Sequence, residues 1–254
     1  MIRLRLMELA AGMVVLAATG SLAYNLTRPE ELKDVELKAT RVVDEAALAS
    51  ADKTNTCSKG KVILSFDDGP DAYTPQVLEV LRAYDVKAVF FALGSKAVKH
   101  PEMIKAEIAD GHSVQNHSWD HPHLADLSRA QVREQIQKTQ DALIEAGAPK
   151  PTYFRPPFGN ISQNVVLEVN KFKPALIFDY WDIDTNDWRG RKPDDIADTV
   201  IKQLEVKPPV PEEQTVLLHD GVRNSFATVE ALPKVIEGIR KKGFCTALPS
   251  AQTE

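Results

Sequence analysis

Lys61-Val62-Ile63-Leu64-Ser65-Phe66-Asp67-Asp68-Gly69-Pro70 is the stretch whose reading decides the fold. Val62–Phe66 is a short, β-rich, nearly unbroken apolar run, the habit of a strand buried in a parallel sheet. It stops at two adjacent acids followed by a turn signal. Gly69 and Pro70 account for the turn by themselves. They do not account for two carboxylates at the end of a buried strand, where unpaired charge is costly. Two acids in that position suggest a division of labour, one on a metal and one handling a proton.

Outward from this stretch the same pattern recurs. Further strands are expected at Ala88–Leu93, His112–Asn116, Thr152–Arg155, Ala175–Tyr180, Thr215–Leu218 and Gly243–Ala247. Helices are expected between them, at Pro75–Tyr84, Pro101–Asp110, Ser128–Ala146, Ile161–Phe172, Pro193–Leu204 and Thr228–Lys242. Pro75, Pro101 and Pro193 stand where a first helical turn tolerates proline. Ser128, with Gln131 three residues on, has the form of a capping box. Alternating strand and helix patterns imply an α/β fold with a parallel sheet. Seven strands and six helices suggest an irregular (β/α)7-type barrel, a deformed relative of the eight-fold form.

Polar residues follow the strands with regularity. Asp67 and Asp68 follow the first, His117 the third, and Arg155 ends the fourth. Asp182 to Asp187 follow the fifth, and His219 and Asp220 the sixth. In barrels of this kind the carboxyl ends of the strands carry the active site, so these residues are expected to converge on one face. His117 and His121 are four apart, a spacing that brings two imidazoles to one side of a helical turn or compact loop. With an acid from another strand they make a two-His, one-carboxylate set suited to a divalent metal with open positions. His123 falls off that spacing and reads as structural, as do His100 and His112. Arg155, before Pro156 and Pro157, can hold a carboxylate in its ionised form. His219, at a strand end after apolar residues, is placed to serve as a general acid.

The flanks speak to export. Arg3 and Arg5 precede an apolar run from Leu9 to Ala18 and a small-residue exit at Ser21-Leu22-Ala23, the pattern of a secretory signal cleaved after Ala23. The other reading is a retained membrane anchor, for which the apolar run is short. Residues 24–56 are charged and apolar-poor and read as a stalk. The catalytic domain is therefore expected over 57–254. The two cysteines, Cys57 and Cys245, can form a disulfide in an exported protein, or be two free thiols. A bridge closing so long a loop contributes on the order of 4–5 kcal/mol. A hydrophobic fraction of 43% and a charged fraction of 26% are ordinary for a globular chain. A net charge of -5 gives no electrostatic reason to expect nucleic acid as partner.

Taken in order, Phe-Asp-Asp-Gly-Pro, Asn-His-Ser-Trp-Asp-His, Arg-Pro-Pro-Phe-Gly, Asp-Thr-Asn-Asp-Trp and Leu-Leu-His-Asp make a set that resembles the polysaccharide deacetylase family, carbohydrate esterase family 4. The resemblance spans about Lys61 to Phe244. It implies that Asp68, His117 and His121 hold one divalent metal, usually zinc, with cobalt or nickel able to substitute. It further implies that Asp67 is the general base activating the attacking water and that His219 protonates the leaving amine. Arg155 would orient Asp67 and be held by an acid of the Asp-Thr-Asn-Asp-Trp segment, Asp187. Trp188 and Leu217 would wall the pocket for the acetyl methyl, and the main-chain N–H near Phe158 would face the oxyanion. Members commonly have tyrosine where this chain has Phe158, so a hydroxyl contact to the sugar is missing.

The resemblance implies an N-deacetylase of N-acetylglucosamine polysaccharide, either chitin oligomers or peptidoglycan. An O-deacetylase of acetylxylan is the alternative, because the same site suits the easier ester hydrolysis. A catalytically dead carbohydrate-binding domain should have lost a base, an acid or a ligand, and this chain retains all of them. A polysaccharide or oligosaccharide is the expected partner, with no obligate protein partner and a monomeric state.

Overall fold

The computed structural model describes residue 57, residues 59–204 and residues 213–250. The expected signal or anchor and the stalk lie outside the described residues. No helix among the described residues is long and apolar enough to cross a membrane.

The strands are β1 (Lys61–Asp67), β2 (Val89–Ala92), β3 (Ser113–Asn116), β4 (Tyr153–Phe154), β5 (Ile177–Phe178), β6 (Ile183–Asp184), β7 (Glu213–His219) and β8 (Cys245–Thr246). The helices are α1 (Thr74–Ala83), α2 (Gly94–Lys99), α3 (Pro101–Ala109), α4 (Arg129–Glu145), α5 (Gln163–Val169), α6 (Pro193–Gln203) and α7 (Ser225–Lys241). Every strand pairing is parallel, and the path runs β5-β4-β3-β2-β1-β7-β6. The sheet is curled, and the architecture is the irregular (β/α)7-type barrel that the alternating pattern implies. β7 lines the whole of one edge of β1, from Lys61 to Asp67. The other edge is shared: β8 pairs with Lys61 and Val62, and β2 with Ser65 to Asp67. Two elements differ from expectation. β6 lies inside the segment read as a loop, and α2 is a short helix packed before α3.

Local signals explain the helix starts. Proline occupies the first turn of α1, α3 and α6. Ser128 caps α4 through the reciprocal bonds with Gln131. The alternation along β1 then positions the site. Val62, Leu64 and Phe66 face outward into the main apolar cluster, among Val77 and Leu81 of α1, Val200 of α6 and Val235 of α7. Ile63, on the opposite face, packs inside the barrel with Val89 and Phe91. Ser65 and Asp67 share that inner face because strand side chains alternate.

Cys57 and Cys245 are joined in a disulfide, with 5.0 Å between their Cα atoms. The bridge laces the approach to β1 onto β8, across a sequence separation of 188 residues. Replacing both cysteines by serine is expected to lower the unfolding free energy by up to about 5 kcal/mol, the chain-entropy value for a loop of that size. Denaturant unfolding of the two forms checks this, and a loss under about 1 kcal/mol would show that the bridge is not a stabilising tie.

Candidate active site

The polar strand-end residues singled out in the sequence gather at the carboxyl end of the sheet, with the exception of Asp182, which precedes β6 and pairs with Thr215 near the start of β7. The register explains how they meet. Asp67 is level with His219 across β1 and β7, and with Phe91 across β1 and β2. Asn116 is level with Phe154, so His117 and Arg155 emerge side by side.

Arg155 is fully buried and is the centre of the arrangement. Its Nη1 donates to Asp67 Oδ1 at 2.7 Å and to Ser65 Oγ at 2.8 Å. Its guanidinium lies over the Phe91 ring, 4.0 Å from the centroid. The other nitrogen, Nη2, donates to Asp179 Oδ2 at 2.5 Å and to the Tyr180 carbonyl at 3.3 Å. Asp187, expected to hold Arg155, does not. The register gives the reason: β4 pairs with β5 so that Phe154 faces Phe178, which brings the next residues, Arg155 and Asp179, together. Asp187 instead follows β6, which pairs with β7 on the far side of β1.

Asp187 therefore belongs to His219. Its Oδ1 meets His219 Nδ1 at 2.7 Å, and its Oδ2 accepts from the His219 main-chain N–H at 2.8 Å and from Thr228 Oγ1 at 2.6 Å. Burial disfavours a charge on His219, but the hydrogen bond and charge of Asp187 outweigh it and raise the imidazole to about 9. Asp187 shows the reciprocal effect: burial opposes its ionisation, and the bonds from His219 and Thr228 overcome burial and lower its pKa. Asp67 behaves differently. Burial raises its carboxyl above the ordinary value, and Arg155 pulls in the opposite direction without cancelling the rise.

Asp68, His117 and His121 each aim one ligand atom at a common point, with those atoms within 4.8 Å of one another. Asp68 Oδ1 is buried without a hydrogen-bond partner, 3.6 Å from His117 Nε2 and 3.4 Å from His121 Nε2. His117 Nδ1 is 2.7 Å from the Arg155 carbonyl, an acceptor, so Nδ1 carries the proton and Nε2 presents its lone pair to the cluster. Burial pulls His117 down to about 3, so in the metal-free protein it is neutral at neutral pH. An orphaned carboxylate oxygen facing two imidazoles, one of them fixed in the ligating tautomer, is a donor set that fits a divalent cation.

The loop carrying the histidines is held from below. Ser118 N–H donates to Asn116 Oδ1, His121 N–H to Ser118 Oγ, and Trp119 N–H to Gln135 Oε1 of α4. Among the described residues, the non-glycine residues with positive φ are Asp68, Asp85, Ser118, His121, Phe158 and Asn186. All but Asp85 belong to the site's loops. Such conformations are unfavourable and collect where surrounding structure imposes them for function.

Phe158 is 55% exposed and stacks on His123, ring centroids 4.1 Å apart, with its edge toward His121 at 4.4 Å. Trp188 is exposed beyond β6, and Leu217 is buried on the inner face of β7 two residues before His219. Asp179 is a site residue that the sequence patterns alone do not single out. The available signal is the run Leu176-Ile177-Phe178 ending in an acid, the same form as β1 before Asp67.

A family model described as polysaccharide deacetylase matches residues 54–175. A peptidoglycan-N-acetylglucosamine deacetylase of Listeria monocytogenes is 36% identical over 79% of this chain, which spans only 42% of that relative's length. A peptidoglycan-N-acetylglucosamine deacetylase of Bacillus cereus is 34% identical over 76% of this chain and 68% of its own length. Among solved structures, a family 4 carbohydrate esterase from Streptomyces lividans in complex with acetate superposes with a TM-score of 0.69 at 33% identity. That match covers 78% of this chain and 96% of the esterase. With the site geometry and these matches in agreement, the chain belongs to the polysaccharide deacetylase family.

Proposed function

We propose that this protein is an exported, monomeric hydrolase that removes acetyl groups from N-acetylglucosamine polysaccharide, with peptidoglycan favoured over chitin. One observation carries the reading: two buried acid–base pairs, Asp67 with Arg155 and Asp187 with His219, adjoin the Asp68, His117 and His121 cluster. The three cluster residues would hold one divalent metal, with zinc the best match to two imidazoles and a carboxylate, and cobalt or nickel able to replace it. When bound, that cation polarises the acyl oxygen and brings the pKa of water near neutrality.

The chain's own groups do the rest. Asp67, held toward its ionised form by Arg155, takes a proton from the attacking water as the oxygen adds to the acyl carbon. His219, protonated through Asp187, delivers its proton to the amide nitrogen as the carbon–nitrogen bond breaks. Acetate and a free amine result. The Phe158 main-chain N–H would donate to the acyl oxygen, and Trp188 and Leu217 would enclose the methyl group.

Charge at the rim supports an anionic glycan. The Arg189 guanidinium lies 4.5 Å from the Trp188 ring centroid. The neighbouring loop is tied in by Asn224 Nδ2, which donates to the Trp188 carbonyl at 2.8 Å, and it carries the exposed Arg223. Such a rim suits the carboxylates of peptidoglycan better than neutral chitin. The deciding experiment is acetate release from chitin oligomers, peptidoglycan fragments and acetylxylan, side by side with one defined metal. Release from acetylxylan alone would replace this reading with O-deacetylation.

The ligand assignment has its own test. His117→Ala is expected to lose bound metal and activity together, because it deletes the imidazole whose tautomer the Arg155 carbonyl fixes. Metal content measured by mass spectrometry and unchanged in the variant would remove His117 from the set.

A further inference from the structure

The proton acceptor and the proton donor of the proposed reaction sit on two different strands. Rate depends on the distance between them being held, since a misplacement of about 1 Å can cost on the order of 10²-fold. The two loops that follow β1 and β7 touch main chain to main chain. Asp220 N–H donates to the Asp67 carbonyl at 3.2 Å, and a Cβ on Gly221 would collide with the Asp68 carbonyl. Glycine at 221 is needed for that approach.

A third element closes this contact from the side. Lys96, on α2, donates from Nζ to Asp71 Oδ2 at 2.6 Å and to the Gly221 carbonyl at 2.7 Å. Asp71 lies three residues after Asp68, and Gly221 two residues after His219. One ammonium group thus spans the loop of the base and the loop of the acid. A parallel connection runs beside it. Asp71 N–H donates to Thr74 Oγ1 at 2.9 Å, and Thr74 Oγ1 in turn donates to the Asp220 carboxylate.

We propose that Lys96 is a positioning residue, which fixes His219 relative to Asp67 by bridging Asp71 and the Gly221 carbonyl. It acts through the two loops and has no part in the chemistry. The proposal rests on the reading of Asp67 as base and His219 as acid. A lysine is suited to the task because its three donors can serve a carboxylate and a carbonyl at once. The neighbouring charge also matters, for Asp220 is buried with Oδ1 unpartnered, and an ammonium nearby offsets the crowding of carboxylates.

Lys96→Met, Lys96→Arg and Asp71→Asn are compared with the unaltered protein on two substrates. One is an N-acetylated chito-oligomer, whose amine must be protonated to leave. The other is 4-nitrophenyl acetate, whose leaving group needs no proton. Lys96→Met is expected to lower kcat on the amide about tenfold with KM within about twofold, and to spare the activated ester. Lys96→Arg restores most of the loss, and Asp71→Asn reproduces part of it with an intact fold. Equal losses on both substrates, or a change confined to KM, overturn the proposal. So does amide turnover unchanged in Lys96→Met. Should Lys96→Met not fold, Asp71→Asn decides the matter by the same ratio of the two rates. If the unaltered protein releases no acetate from any N-acetylated glycan, the underlying function fails instead.

Discussion

Asp67→Asn is expected to cut amide hydrolysis by about 10²–10⁴-fold while leaving bound metal unchanged, the contribution typical of a positioned general base. The amide that replaces the carboxylate keeps the shape of the site and can still meet Arg155, but it accepts no proton. The buried arginine is not stranded by the change, since Asp179 and Ser65 remain as acceptors. Fold and ligands should therefore survive, which separates this variant from His117→Ala. The pH profile carries the same information. Burial sets the Asp67 carboxyl above its ordinary range, and Arg155 limits the rise. Activity is present when that carboxyl is ionised and is lost as pH falls through its pKa. Replacing Arg155 by methionine removes the opposing charge and should move the acid limb to higher pH. Metal loss in Asp67→Asn would transfer Asp67 from the base to the ligand set.

Asp187→Asn is the second large effect, and it works through the proton donor. In the unaltered protein Asp187 raises His219 to about 9 despite burial, so the imidazole carries its proton at neutral pH. With that carboxylate gone, burial still lowers the pKa and only the charges of Asp67 and Asp68 oppose it, so the pKa falls. The sign follows: the donor is competent below its pKa, so the alkaline limb of the rate profile moves to lower pH. At pH 7 amide turnover should fall by about 10²–10⁴-fold. Hydrolysis of 4-nitrophenyl acetate should fall far less, because its leaving group departs as an anion. A bound cation near His219 lowers its pKa in both forms, so the difference between the two profiles is the quantity to measure. An unmoved alkaline limb would show that His219 is not the group being read. The ion pair also bears on stability. A histidine raised by folding stabilises the native state below its ordinary pKa, and that contribution disappears as pH rises through about 9.

Much of this site is legible in the sequence because strand ends in a parallel barrel share one face. Asp67, Asp68, His117, Arg155 and His219 need only the right strands to be found. What the sequence does not supply is lateral order. Asp179, after the apolar run Leu176–Phe178, and Asp187, after the polar Asp184–Asn186, both lie near the end of the fifth strand region, and by chain position either could hold Arg155. Only the placement of β5 beside β4, and of β6 beside β7, assigns one to each partner. β6 itself is hidden because Ile183 stands alone among Asp182, Asp184 and Thr185, with no apolar run to mark a strand as there is around β4 and β5. The bridge of Lys96 is hidden for a related reason. It joins α2 to loops 25 and 125 residues away in the chain, and nothing local marks a surface-helix lysine as shared between them.

Arg155 is one residue with two separable outputs. Its side chain holds Asp67, the proposed base, and its main-chain carbonyl orients His117, a proposed metal ligand. The carbonyl is supplied by any amino acid at that position, whereas the guanidinium is supplied only by arginine. A descendant that mutates this codon can therefore fall silent as a catalyst and still fill its metal site, and metal content alone would be a poor guide to which copies in a genome remain enzymes.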